Sequence, residues 1–456
     1  MQLKKALKSL VPPSLQARIR TWKAERAIAV FEAEWRESRR NAARIQVRRP
    51  IERILLVPPD PGTLMGALGD DAMVTSVVEM ARARNPEVEI EVLTGRPVAS
   101  EMAVAHGLKP VEIWESPHFV RDLDALLTKR RYDAVVALGA DIMDAYHDFL
   151  GSAKMIAVVD LPARRGIPSS VLGFSFNARP NPRLAAHFAG VSPDVRFRLR
   201  DEISFERFGR FSPATSELVA DSAFVLTPGA VADDLGAWID AMHADGRKVI
   251  GINVHPMLFR DATDEQIATI VQRGADALLA CAETARVAWL LLPHDYRGRL
   301  GDAVCLEPIR DRVAGILGDT VRHLDGRHRA STLKAVAGRL DGVVSGRMHL
   351  AIATLGMGVP ALCATYQDKF EGLYRHFGLP DWLLLSPESF LVEGTFRDAL
   401  ARFIQQLPEL TRIVGARREA VLALSRQNFT IFDDVAQTAR IGSAGQGGSP
   451  APVQDA

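Results

Sequence analysis

Short, wholly apolar runs recur along this chain, each leading into a stretch with helical periodicity. Ile54-Leu55-Leu56-Val57 precedes a helical pattern over 70–84, and an apolar run over 88–93 precedes one near Ser100. Runs at 134–138, 156–159, 171–176 and 195–199 read as further strands. A strand that is apolar on every residue must be covered on both faces, and intervening helices supply that cover in a parallel sheet. The pattern restarts at Val249-Ile250-Gly251-Ile252-Asn253-Val254. A helix over 264–284, a strand over 287–292, a helix over 303–317, a strand over 341–344, a helix over 348–357 and a strand over 361–364 follow.

Two such series predict an α/β fold: two Rossmann-like parallel-sheet domains facing across a cleft, a GT-B-like arrangement. The expected divisions are a basic amphipathic N-terminal helix region over 1–49, an N-terminal Rossmann-like domain over 50–228, and a C-terminal Rossmann-like domain over 229–395. C-terminal helices over 396–440 and a disordered tail over 441–456 complete the chain. A length of 456 residues suits this division. The net charge of +1 argues against nucleic-acid binding. The charge is uneven, however: residues 1–49 hold thirteen Lys/Arg and four Glu, leaving the remainder mildly acidic. The helix over 14–45 mixes Leu15, Ile19, Trp22 and Phe31 with these cations. It is expected either to pack one stripe on the body or to meet anionic lipid through residues 1–48. Three scattered cysteines match no zinc site or disulfide framework, and no apolar run reaches the ~20 residues of a membrane helix. The expected location is the cytoplasm, peripheral to the inner membrane if the basic helix binds lipid.

Residues 345–373 carry the sharpest chemical signal. Arg347 and His349 sit two apart where a strand gives way to a helix. Cations at a helix N-terminus, outside the C-terminal end of a parallel strand, make an anion site. No acidic residue lies between Gly342 and Gln367. Arg347 is therefore expected to lack an internal partner and to take its counter-anion from a ligand. Arg200 follows another strand in the same way, with Asp201 expected to cap the next helix. A third loop has Gly62, Gly66 and Gly69 before Asp70 and Asp71, with Asp70 the expected helix cap. It matches neither a dinucleotide nor a Walker loop. Asp141 ends the strand over 134–138. His294 leaves the strand over 287–292.

These segments together resemble the polysaccharide pyruvyl transferase family. The resemblance rests on Ser345-Gly346-Arg347-Met348-His349 and its small-residue helix, the Gly358-Val359-Pro360 turn, and Tyr366-Gln367-Asp368-Lys369. Gly69-Asp70-Asp71-Ala72, Arg200-Asp201-Glu202-Ile203-Ser204 and Asp221-Ser222-Ala223-Phe224 add to it. The chain departs from the family at Ala67-Leu68, at Leu138-Gly139-Ala140 and at Ser222.

The resemblance implies transfer of an enolpyruvyl unit from phosphoenolpyruvate to two hydroxyls of a sugar, giving a cyclic ketal in a polysaccharide or lipid-linked precursor. It implies no cofactor and no metal. Arg200, Arg347, Met348 and Lys369 would bind the donor. His349 would touch its phosphate or act as general acid, and Asp70 or Asp71 as general base. Gly66, Gly69, Asp141 and His294 would face the acceptor. Two readings compete: a GT-B glycosyltransferase using a nucleotide sugar, and a non-catalytic polysaccharide-assembly protein.

Overall fold

In the computed structural model, residues 12–47, 50–146, 148–259, 261–365 and 369–433 are described. Residues 1–11, Tyr366 to Asp368 of the Tyr-x-x-Lys motif, and the tail beyond 433 lie outside them.

All but one of the apolar runs are strands, buried on both faces. β1 (Arg53–Val57), β2 (Glu89–Thr94), β3 (Lys109–Glu112), β4 (Ala134–Leu138), β5 (Ser169–Phe174), β6 (Arg196–Leu199) and β7 (Ser216–Leu218) form one sheet. It is parallel throughout, in the order β3-β2-β1-β4-β5-β6-β7. β8 (Lys248–Asn253), β9 (Val287–Leu291), β10 (Val321–His323), β11 (Gly342–Ser345), β12 (Ala361–Ala364) and β13 (Leu384–Leu385) form a second parallel sheet, ordered β10-β9-β8-β11-β12-β13. Each order reverses once, between β1 and β4 and between β8 and β11. Ligands in such sheets bind at the strands' C-terminal ends beside that reversal.

The described helices are α1 (Pro13–Asn41), α2 (Leu68–Arg82), α3 (Pro97–Ala105), α4 (Phe119–Lys129), α5 (Phe149–Arg164), α6 (Leu184–Ala189) and α7 (Glu202–Phe211). The series continues with α8 (Asp233–Ala244), α9 (Asp264–Thr284), α10 (Ala303–Leu317), α11 (Ala330–Ala337), α12 (Met348–Gly356), α13 (Phe370–Phe377) and α14 (Thr395–Gln427). One expected strand is corrected: residues 156–159 lie inside α5. Every residue of that helix from 152 to 163 is buried, against the sheet on one side and α1, α4 and α6 on the other.

α1 divides in two. Its later turns dock: Phe31 and Trp35 are buried, Trp35 Nε1 donates to Asp160 at 2.9 Å, and Arg39 Nε donates to the same carboxylate at 2.6 Å. Its early turns leave Leu15, Ile19 and Trp22 exposed on one stripe. No helix among the described residues is long and apolar enough to cross a membrane.

Candidate active site

The loops at the two reversal points meet. A cavity of about 300 Å³ lies between the sheets, lined from the first domain by Gly69, Asp70, Asp141 and Arg200 and from the second by His294, Arg347, Met348, His349 and Lys369. Nine of the eleven residues singled out from the sequence thus share one wall system. Gly66 and Asp71 do not. They line a neighbouring cavity.

Arg200 is placed by β6 and the buried phenylalanines behind it. Phe176 and Phe188 each pack edge to face on Phe208, at 5.2 and 5.1 Å, which fixes the strand end against α7. Asp201 caps α7 as expected, accepting from Ser204 N at 2.7 Å and Ser204 Oγ at 2.8 Å. Arg200 is 4% exposed, donates through Nε to Ser175 Oγ at 2.7 Å, and pairs through Nη1 with Asp221 at 2.9 Å. Asp221 also lies 3.8 Å from His349 Nε2. One buried carboxylate from the first domain therefore faces both Arg200 and the histidine of the second. In the sequence Asp221 stands out only as part of Asp221-Ser222-Ala223-Phe224, with no role of its own.

Arg347 corrects an expectation. It is not uncompensated: it is 8% exposed, donates through Nε and Nη2 to Asp302 at 3.0 and 2.6 Å, and lies 3.2 Å from Asp295. Both carboxylates come from the loop after β9, far from Arg347 in sequence. Asp302 is further held by Asn253 Nδ2 and by the N–H groups of His294 and Asp295. Asp295 also binds Arg297, a residue at the cavity mouth that the sequence reading missed. Burial raises the Asp295 pKa, but Arg297 and Arg347 outweigh it and hold the group below the usual carboxylate range. Lys369 pairs across the cleft with Asp141.

Two further readings change. Asp70 is not a helix cap, since α2 begins at Leu68 with Ala67 at its N-cap. Asp70 instead lies in the first turn and faces the cavity. Burial, with Asp60 and Asp141 nearby, pushes its pKa up to about 7. Asp71 points away. It accepts from Ala330 N at 2.8 Å and Arg329 Nη2 at 3.1 Å, fastening α2 to the start of α11. That is a strut between the domains rather than a base in the cavity. Gly69 has a steric use: a Cβ there would fall 2.4 Å from His349 Nδ1.

His349 itself is held at the start of α12. Its Nε2 is buried and has no hydrogen-bond partner among the described residues. Burial lowers its pKa, Asp221 opposes, and Arg200 adds to the lowering. It is therefore a neutral imidazole at neutral pH in this arrangement. His294 is pushed down to about 3 by burial and by His349 and Arg347. Among the described residues, no three His, Cys, Asp or Glu side chains converge to hold a metal ion.

A family model for polysaccharide pyruvyl transferase matches residues 67–368, most of the chain. The chain belongs to the polysaccharide pyruvyl transferase family. It is thus a transferase of polysaccharide biosynthesis, and the matched span includes every residue of the cavity named above except Lys369. No curated protein matches it significantly. Solved structures share its two-domain fold at low identity. A Listeria monocytogenes protein provisionally assigned as a UDP-N-acetylglucosamine 2-epimerase is 11% identical with a TM-score of 0.52, over 87% of this chain and 97% of that one. A glycosyltransferase from Rickettsia africae is 11% identical with a TM-score of 0.51, over 88% and 100%. The Anabaena protein HepE, crystallised with UDP, is 12% identical with a TM-score of 0.51, over 86% and 100%. These likenesses establish the GT-B-type architecture.

Proposed function

We propose that this transferase moves a pyruvyl unit from phosphoenolpyruvate to two hydroxyls of a sugar, forming a ketal. The observation that carries the reading is the unpartnered Nε2 of His349 in a cavity walled by arginines from both domains. A buried polar atom without a partner is rare, and a ligand oxygen would satisfy it.

Each of these cations has a carboxylate: Arg200 has Asp221, Arg347 has Asp302, and Lys369 has Asp141. Donor entry therefore exchanges ion pairs. Lys369–Asp141 is the more exposed pair, so it opens most cheaply, and Lys369 can turn to the donor phosphate. Arg200 and Arg347 keep their buried partners and present the outer edges of their guanidinium groups to the donor carboxylate and phosphate. An anion beside His349 raises the imidazole pKa, so donor binding loads the acid with a proton.

His349 gives a proton to the methylene carbon, and an acceptor oxygen bonds to the central carbon as Asp70 takes that hydroxyl's proton. A second hydroxyl then bonds to the same carbon, and the carbon–oxygen bond to phosphate breaks. The leaving phosphate carries away the second hydroxyl's proton, and Asp70 returns the first to His349. The arginines stabilise the charge that develops on phosphate without having to reorganise.

The test is a thermal shift with phosphoenolpyruvate and with nucleotide sugars, followed by phosphate release with a glycan acceptor. Stabilisation by phosphoenolpyruvate is expected. Stabilisation by nucleotide sugars alone would assign the cleft to glycosyl transfer instead.

A further inference from the structure

α1 carries two apolar stripes, and only one of them meets the body. Ile28, Phe31 and Trp35 are buried where the helix packs on α4 and α5. Leu15, Ile19 and Trp22 are 45%, 41% and 59% exposed, and among the described residues Ile28 is the first buried one along the helix. At about 100° per residue the docked stripe and the exposed stripe fall on opposite faces. The exposed stripe therefore points away from the body, and no continuation of the docked packing would cover it.

The course of α1 places that stripe. The helix runs alongside α5 in the same direction. Arg39, near its end, pairs with Asp160, late in α5, at 2.6 Å. Glu25 pairs with Arg183 at 3.1 Å, and that guanidinium lies 4.4 Å from the ring centroid of Phe149, the first residue of α5. α5 begins just past the loop that carries Asp141 at the cavity wall. The turns from Ser14 to Lys23 thus project about 15 Å past the start of α5, on the side of the strands' C-terminal ends, where the cavity lies.

Charge decides what covers the stripe. At helical spacing Arg18 and Lys23 fall on either side of it, and Arg26 continues it with its guanidinium 5.4 Å from the Trp22 ring centroid. Arg18, Arg20 and Lys23 are exposed and have no carboxylate partner among the described residues. Residues 1–24 hold six Lys/Arg and no Asp or Glu. A second copy laid on the same stripe would bring these cations against one another. Leu, Ile and Trp flanked by cations instead suit the headgroup boundary of a negatively charged bilayer, where the indole sits at the interface and the cations meet lipid phosphate.

We propose that the early turns of α1 dock on the surface of an anionic bilayer through Leu15, Ile19 and Trp22, with Arg18 and Lys23 at the level of the headgroups. The body then rides on the opposite side of the helix, with the cavity end of the first domain nearest the inserted turns. This goes beyond the pyruvyl reading and holds whatever the acceptor is.

The test is flotation of the full-length protein with phosphatidylcholine vesicles and with vesicles that also contain phosphatidylglycerol. Wild-type protein should float with the anionic vesicles and not with the neutral ones. Arg18→Gln combined with Lys23→Gln should weaken binding about tenfold or more, since each cation near such a surface contributes a severalfold gain. Ile19→Gln combined with Trp22→Gln should weaken it comparably with no change in charge. These side chains are exposed, so both double variants should keep the wild-type melting temperature, which separates lost docking from lost folding. Arg412→Gln, an exposed residue paired with Glu409 on α14, is the control and should float as wild type does. Unchanged flotation by either double variant, or equal binding of wild-type protein to neutral and anionic vesicles, overturns the proposal. A dimer that is lost with Ile19→Gln and Trp22→Gln, in protein that ignores vesicles, would assign the stripe to a second copy and overturn it too.

Discussion

Gly69 stands in the first turn of α2, where alanine would favour the helix by up to about 1 kcal/mol. Its bare Cα makes room for His349, since an added methyl would fall 2.4 Å from Nδ1. Gly69→Ala should therefore leave the melting temperature unchanged or higher while kcat falls on the order of 10²-fold, as misplacement of a reacting group does. Unchanged turnover would mean that His349 does not act where it stands. Asp70 carries a second prediction, with a definite sign. Folding raises its pKa from 3.8 to about 7. The folded state thus holds this proton more tightly, a stabilisation present below pH 4 and lost as pH rises through about 7. Asp70→Asn should abolish transfer yet stabilise the protein at pH 8, by about 1–2 kcal/mol. This is less than the full ~1.4 kcal/mol per pKa unit, because water in the cleft screens the group. The gain should vanish at pH 4. Calorimetric melting at both pH values measures it, and equal effects at the two would show that Asp70 is not strained when ionised.

At the scale of elements, legibility followed burial. β1, β4, β8 and β9 were readable because each is apolar on nearly every residue, the mark of a strand covered on both faces. The same mark misled at residues 156–159. A helix buried all round carries an apolar run indistinguishable from a strand's, and α5 is packed on every side. β3, β7 and β10 escaped notice because edge strands are short and partly solvated, as their half-exposed residues show. The Arg347–His349 unit was legible because strand, helix start and turn are consecutive in the chain. The partner of Arg347 was not. Helical spacing rules see acids three or four positions away, whereas Asp302 arrives from the loop after β9. Asp71 failed for the same reason: its contact with Ala330 N joins elements 259 residues apart.

The two sheets are also joined by a helix that belongs to both. α14 packs on α9 in the second domain and then returns to the first. At its last turn and C-cap, Asn428 Nδ2 donates to Ala220 O at 2.8 Å, Ser425 Oγ donates to Asp221 O at 2.7 Å, and Arg198 reaches Gln427 O. These bonds seize the backbone on which Asp221 stands, and Asp221 faces both Arg200 and His349. The end of α14 is thereby connected to the cavity through two residues. From the other side, α13 closes on the end of β6, with His376 Nε2 2.9 Å from Arg200 O. Asn428 is fully buried, so Asn428→Ala removes a donor that the buried Ala220 carbonyl needs. The expected cost is about 1–3 kcal/mol of stability. A purely structural role would end there, and activity measured far below the melting transition would match wild type. If Asn428 instead sets the position of Asp221, kcat should fall severalfold even at temperatures where the variant is fully folded. The pH profile should shift as well, since the Asp221 carboxylate is what supports the imidazole's proton. Full activity with a reduced melting temperature would show that the cavity keeps its geometry without the returning helix.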